Sequence, residues 1–339
     1  MPQISIWIAA IWCFILFASQ ASFAQPVTPP AVTTLSDSTI KYQVPARGYH
    51  ILERGEVRAV VVDNRAVDDA VLPGHRANYS GLASLRHSQR GESLFVPAYA
   101  GLNYEHIHDG TNQDRDILFE PRNAPLELRV VNKHTVELYQ APTPHWKLES
   151  VLRYAMLEDG TIEMTLECIP RAKTFANGYV GLFWASYIHQ PESLDIHFRG
   201  QPVSSDEATR WIRGITPAHG VSATHPGRDD ARVFKHDDDF PLTLVFNRSK
   251  FLYDEPWYYG LSHGMAFVQM FRPQDVIRLS QSPSGGGQGN PAWDFQYFIP
   301  EYEVGQRYQM VMRAMYVPYE SPEQIQRVSL PHRQALGQR

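Results

Sequence analysis

Cysteine is nearly absent from this chain of 339 residues, which holds two, Cys13 and Cys168. No disulfide framework can therefore secure it, and its stability has to come from the size of its core. An excess of positive charge is absent as well: the formal net charge is -5 and the sequence pI about 6.3. Such a balance offers no basic face, which argues against nucleic acid and against an anionic membrane surface as partners and leaves a neutral ligand as the natural expectation. Linker-like stretches, repeats of propeller-blade length and convincing helix patterns are also scarce. The chain reads as one large domain rather than an array or a helical bundle.

The longest apolar run, 4–17, is too short to span a bilayer comfortably and leads to Ser22-Phe23-Ala24, a small-x-small cleavage pattern. This is the plan of a secretory signal peptide over 1–24, and it places the protein outside the cytoplasm, in the periplasm or the medium. Its first residues carry no Lys or Arg, so retention as an uncleaved anchor stays open, with export common to both readings. Residues 25–40, rich in Pro, Thr and Ser, read as a disordered leader.

From residue 41 onward, hydrophobicity of period two dominates the chain. Leu126, Leu128 and Val130 alternate with Glu127 and Arg129, and Val136 and Leu138 with Thr135 and Glu137. The clearest hairpin runs through 147–157, turns at Glu158-Asp159-Gly160, and returns over 161–169 with Ile162, Met164, Leu166 and Cys168 on the apolar face. Cys168 is thereby expected as an inert core thiol. Leu194, Ile196 and Phe198 mark another strand, 242–247 a further one, and Tyr308, Met310, Met312 and Ala314 a late one. One short helix is expected within 321–339, with Ser321 as its N-cap and Pro322 at its first position. Many antiparallel strands and little helix give an all-β fold, a large antiparallel β-sandwich over 41–320 with one concave face free for a ligand.

The densest chemistry lies in 256–300. Strands at 265–271 and 276–280 lead through a glycine-rich loop, 284–289, into Trp293-Asp294-Phe295-Gln296-Tyr297. The loop lacks a Lys-Ser/Thr pair and enters a strand, so a nucleotide site is rejected; its glycines suit backbone at positive φ or close passage by a ligand. Rings alternating with an acid and an amide suit a ligand with apolar faces and many hydroxyls, a sugar. A carboxylate held among rings is also partly desolvated, which raises its pKa toward proton transfer.

Other clusters are weaker. In Asn103-Tyr104-Glu105-His106-Ile107-His108, strand alternation places Glu105 with Asn103 on one face and the two histidines on the other. A His-x-His pair can share a metal, yet it lacks a third ligand at recognisable spacing, so no metal and no cofactor are assigned. His219 and His225 lie in a loop bounded by Pro and Gly, a place from which an imidazole can reach over a sheet. His236-Asp237-Asp238-Asp239 reads as a solvated acidic turn.

Three stretches carry a resemblance to a known family. Tyr79-Ser80-Gly81-Leu82-Ala83-Ser84-Leu85, then Leu94-Phe95-Val96-Pro97 and Gly101-Leu102-Asn103, resemble the opening of galactose mutarotase-like proteins. Gly181-Leu182-Phe183-Trp184-Ala185-Ser186-Tyr187 is similar in order to the strand of that superfamily that carries an aromatic and histidine cluster, and 291–296 resembles its last acidic strand. The resemblance implies a supersandwich spanning most of the chain and a carbohydrate ligand. The His-x-Tyr-Phe-Asn signature of the aldose epimerases is not present, and Ala185-Ser186-Tyr187-Ile188-His189 is a displaced version of it.

The expected catalytic set is Asp294 with His219 or His263, and Glu105 as a second carboxylate. Trp184, Tyr187, His189, Trp257, Trp293 and Gln296 are expected to bind substrate. Two functional classes remain open: an exported carbohydrate-active enzyme doing acid and base chemistry of the epimerase or lyase type, and a non-catalytic sugar-binding or structural β-protein. Glu105, Trp184, His219, His263 and Asp294 are expected to converge on one concave face.

Overall fold

The computed structural model describes residues 32–204 and 208–338. The expected signal peptide, 1–24, lies outside the described residues. Among the described residues no helix is long and apolar enough to cross a membrane.

Strands β1 (Tyr49–Arg54), β2 (Val57–Val62) and β3 (Gly81–His87) form a small antiparallel sheet. After β4 (Asn103–His108) come two single-turn helices, α1 (Arg115–Leu118) and α2 (Glu120–Asn123). A meander comes next: β5 (Glu127–Asn132), β6 (Thr135–Gln140), β7 (Leu148–Met156) and β8 (Ile162–Pro170). Then come β9 (Tyr179–Ala185), β10 (Ile196–Pro202), β11 (Arg210–Gly214), β12 (Thr224–His225) and the short α3 (Thr243–Phe246). The chain closes with β13 (Phe251–Tyr253), β14 (Trp257–Ser262), β15 (Met265–Phe271), β16 (Arg278–Ser282), β17 (Ala292–Pro300), β18 (Tyr308–Pro318) and α4 (Pro322–Gly337).

Among the described residues these strands make three antiparallel sheets. The largest runs β11-β10-β14-β15-β18-β8-β7-β6-β5 with β13 beside β10, and the second runs β12-β16-β17-β9-β4. The fold is thus an all-β antiparallel sandwich. The two larger sheets face each other across a core in which Phe271 of β15 meets Phe295 of β17 at 4.8 Å between ring centres. Polar ties cross the same space: Tyr258 Oη donates to the carbonyl of Asp294 at 3.0 Å, and Tyr154 Oη to that of Leu102 at 3.0 Å. The hairpin read around Gly160 is β7 and β8, in register from Leu148 opposite Pro170 to Met156 opposite Ile162. Cys168 lies in this core, where burial pushes its thiol up and keeps it unreactive.

Three expectations are corrected here. Residues 32–40, expected within a disordered leader, are pinned to the outer face of the large sheet. Thr33 and Ser36 hydroxyls each donate to the buried Glu167 at 2.5 Å, and Thr34 donates its N–H to the buried Glu137 at 3.2 Å. A buried carboxylate without such donors is costly, and the segment satisfies two of them. Residues 242–247, expected as a strand, hold α3 instead. An apolar run that short fixes no period by itself, and here the carbonyl of Leu244 accepts the buried Thr224 hydroxyl at 2.7 Å. The carboxy-terminal helix is longer than expected at 16 residues, capped as read by Ser321, whose side chain accepts from the N–H of Gln324. Its apolar side, Ile325 and Leu336, covers Trp257, Val268 and Met270 on the outer face of the large sheet.

Candidate functional site

Along β17 the side chains alternate as the sequence predicts, but both faces are covered. Trp293, Phe295 and Tyr297 enter the core between the sheets, while Ala292, Asp294 and Gln296 point to the opposite face of the second sheet. That face is roofed by α1, α2 and the segment from His219 through α3. Under the roof lies a cavity of about 250 Å³ whose walls include Glu105, His106, Tyr187, His219 and Asp294, with Arg115 also on its lining. Gly285 of the glycine-rich loop lines it as well, and Gly287 and Gly289 turn at φ 100° and 76°. Positive φ, one of the two reasons expected for those glycines, holds in this loop.

A bulge in β4 delivers the second carboxylate. Pairing with β9 runs Tyr104 opposite Trp184 and then His106 opposite Phe183, so Glu105 is the extra residue. Tyr104 stays in the core, stacked on Trp184 at 4.9 Å, while Glu105 and His106 both reach the cavity. The expected separation of Glu105 from His106 onto opposite faces is therefore overturned, because simple alternation fails across a bulge. His108 goes elsewhere, into an aromatic nest of Tyr179, Phe240, Phe246 and Phe298. Among the described residues no group of three or more His, Cys, Asp or Glu side chains is placed to hold a metal ion.

The two carboxylates have unlike surroundings. Glu105 accepts from Arg122 Nη1 at 2.9 Å and from Tyr187 Oη at 2.5 Å. Burial raises its pKa, and Arg122 and Tyr187 pull against that rise. Arg122 is itself held, donating Nε to the carbonyl of Asn78 at 2.7 Å and lying 3.9 Å above the ring of Tyr79. Asp294 accepts one bond, from the N–H of Ser186 at 3.1 Å. Burial pushes its carboxyl well above the usual range, and the nearby charge of Glu105 pushes the same way. Of the pair, Asp294 has less to hold it ionised and is the readier to carry a proton. Burial and the charges of Arg122 and Arg115 hold His106 well below the ordinary imidazole range, so its neutral form is favoured, and its Nδ1 is buried with no partner. His219 is exposed at the rim, its Nδ1 3.0 Å from Ser282 Oγ. With that nitrogen bonded to serine, Nε2 is left to face a ligand.

The structure brings together Glu105, His219, Asp294 and Tyr187 from the expected site. Others lie elsewhere. His263 occupies the exposed β14–β15 turn at φ 54°, its N–H donated to Glu192. Trp184 is fully buried between Tyr104 and Phe295, so neither ring face is open to a sugar. Trp293 is also core: a β-carbon on Gly260 would lie 2.4 Å from its ring, and its Nε1 donates to the carbonyl of Leu194. Trp257 packs on the outer face of the large sheet beneath α4 and Arg333. Gln296 shares the face of Asp294 but spends its amide on Thr224 and Ser280 at 2.8 and 3.2 Å. His189 lines a separate cleft beside Ser84, Arg86 and Phe95. Large buried rings serve the core first, and counting them cannot separate a platform from packing. Arg115, Phe119, Arg122 and Ser282 carried no signal of their own; only the pairing that creates the bulge and the roof reveals them.

The sequence matches no protein-family model and no curated protein. Among solved structures, a protein provisionally described as an aldose 1-epimerase from Escherichia coli K12 overlaps 80% of this chain and 99% of its own, at 11% identity and a TM-score of 0.45. Galactose 1-epimerase from Lactobacillus acidophilus NCFM overlaps 83% of this chain and 100% of its own, at 11% identity and a TM-score of 0.42. Heparan sulfate lyase HepC from Pedobacter heparinus overlaps 83% of this chain and 37% of its own, at 8% identity and a TM-score of 0.38.

Proposed function

We propose that the protein is an exported carbohydrate-active enzyme whose cavity holds one sugar ring for acid and base chemistry of the epimerase or lyase type. The observation that carries this reading is the pair Glu105 and Asp294, two buried carboxylates on one cavity with unlike proton affinities. A volume of about 250 Å³ lies just below the range of drug-sized pockets, roughly 300–1,000 Å³, and suits a ligand of monosaccharide size. The lining mixes hydrogen-bonding groups with the rings of Phe119, Phe183 and Tyr187, the mixture a hydroxyl-rich ring with apolar faces requires.

The roles follow from position. Asp294, the readier to be protonated, is the proton donor to a ring or leaving oxygen. His219, with Nε2 free at the rim, is the proton acceptor. Glu105, fixed by Arg122 and Tyr187, is an ionised acceptor that orients hydroxyls and stabilises positive charge developing on the ring. A glycan-array screen on the chain without its first 24 residues tests the reading. Binding of a defined sugar, abolished by filling the cavity with Ala185→Trp, is the expected result. Failure of every glycan to bind would overturn it.

A further inference from the structure

We infer that the sugar taken by this cavity carries an acidic substituent, a carboxylate, sulfate or phosphate ester, and that Arg115 is the residue that selects it. This rests on the carbohydrate reading above and narrows it. The formal charge of the whole chain, -5, favours a neutral ligand, but selectivity is set by the charge a ligand meets locally.

Around the cavity, the charge of Glu105 is matched by Arg122 at 2.9 Å. Burial favours the neutral forms of Asp294 and His106. Arg115, on the first turn of α1, lines the same cavity, and its side chain has no ion pair or hydrogen bond among the described residues. Its guanidinium lies 4.0 Å above the ring of Phe119, which lines the cavity too and contacts His106 at 4.1 Å between ring centres. Stacking on that ring leaves the planar edge of the guanidinium, with its fork of N–H donors, free for an anion. A planar fork with no protein acid to occupy it is matched by a carboxylate or an oxyanion ester, which accepts two parallel bonds. The nearest protein acids on the same element, Asp114 and Asp116, make no ion pair with it. A neutral sugar would leave this guanidinium with no acid bonded to it, its charge offset only at longer range by that of Glu105.

The test is calorimetric titration of the chain without its first 24 residues with glucuronate, galacturonate and mannuronate, each beside its neutral parent hexose. Galactose 6-sulfate and glucose 6-phosphate distinguish the three kinds of acid. At least one acidic sugar is expected to bind on the order of tenfold tighter than its parent at low ionic strength, the size of one charge-assisted contact. The margin should shrink as salt is raised, because Arg115 is exposed. Arg115→Met should erase the margin between the acidic sugar and its parent, and Arg115→Lys should restore only part of it. Equal affinity for acidic and neutral sugars would overturn this inference and leave the carbohydrate reading standing. Binding of neither kind would overturn both.

Discussion

Asp294 is the residue on which the site turns, and its burial has a consequence for stability that can be measured. Its folded pKa lies well above the ordinary value of 3.8, so between those two values the native state binds more protons than the unfolded chain. Stability then falls as pH rises through that window, and what Asp294 contributes in its protonated form is present below it and lost above it. Asp294→Asn keeps an oxygen for the N–H of Ser186 and cannot ionise. The variant should therefore melt higher than the parent at pH 8, with the difference closing as the pH falls toward about 4. Thermal melts of both proteins across that range decide it; a variant destabilised equally at every pH would show that the carboxyl is not a buried, strained acid. Asp294 was legible in the sequence because strand alternation set it apart from Trp293 and Phe295. Glu105 was visible as an acid but not as a neighbour of His106, since a bulge is a slip of one residue between two strands and leaves no mark in either strand alone.

At the scale of elements, the large rings fill more than one apolar layer, which is why the density of aromatic residues did not mark the site. Trp184 and Trp293 fill the space between the sheets, and Trp257 fills a different one beneath α4. Long strands were readable by period two, which places β7, β8 and β17, while β15 was readable as an apolar run. The roof was not readable, because 215–247 is mostly irregular and takes its form from the sheet it covers. α4 lies on the face of the large sheet away from the cavity, so it separates stability from binding. Ile325 is fully buried there, and Ile325→Ala should cost about 2–5 kcal/mol. Urea unfolding should show that loss, with affinity for any bound glycan unchanged; a change in affinity would place α4 in contact with the site.

For the whole molecule, the sandwich brings together residues that chain order keeps apart: β4 supplies Glu105, the roof supplies His219, and β17 supplies Asp294. The all-β class was legible from alternation along many strands. Three of the five residues expected to converge do line one cavity, but strand alternation accounts for Asp294 alone, since His219 comes from the irregular roof and Glu105 from a bulge. The two that fell away, Trp184 and His263, lie in the core and at a hairpin turn, positions set by packing and by the length of β14 and β15. The central claim is that this cavity moves protons on a bound sugar rather than merely holding it. Its most direct test is to measure affinity and turnover side by side for the parent and Asp294→Asn on the glycan that binds. Affinity should stay within about threefold while turnover falls by roughly 10²–10⁴, the usual share of a general acid. Equal turnover in the two proteins, or a bound glycan that the parent leaves chemically unchanged, would contradict it.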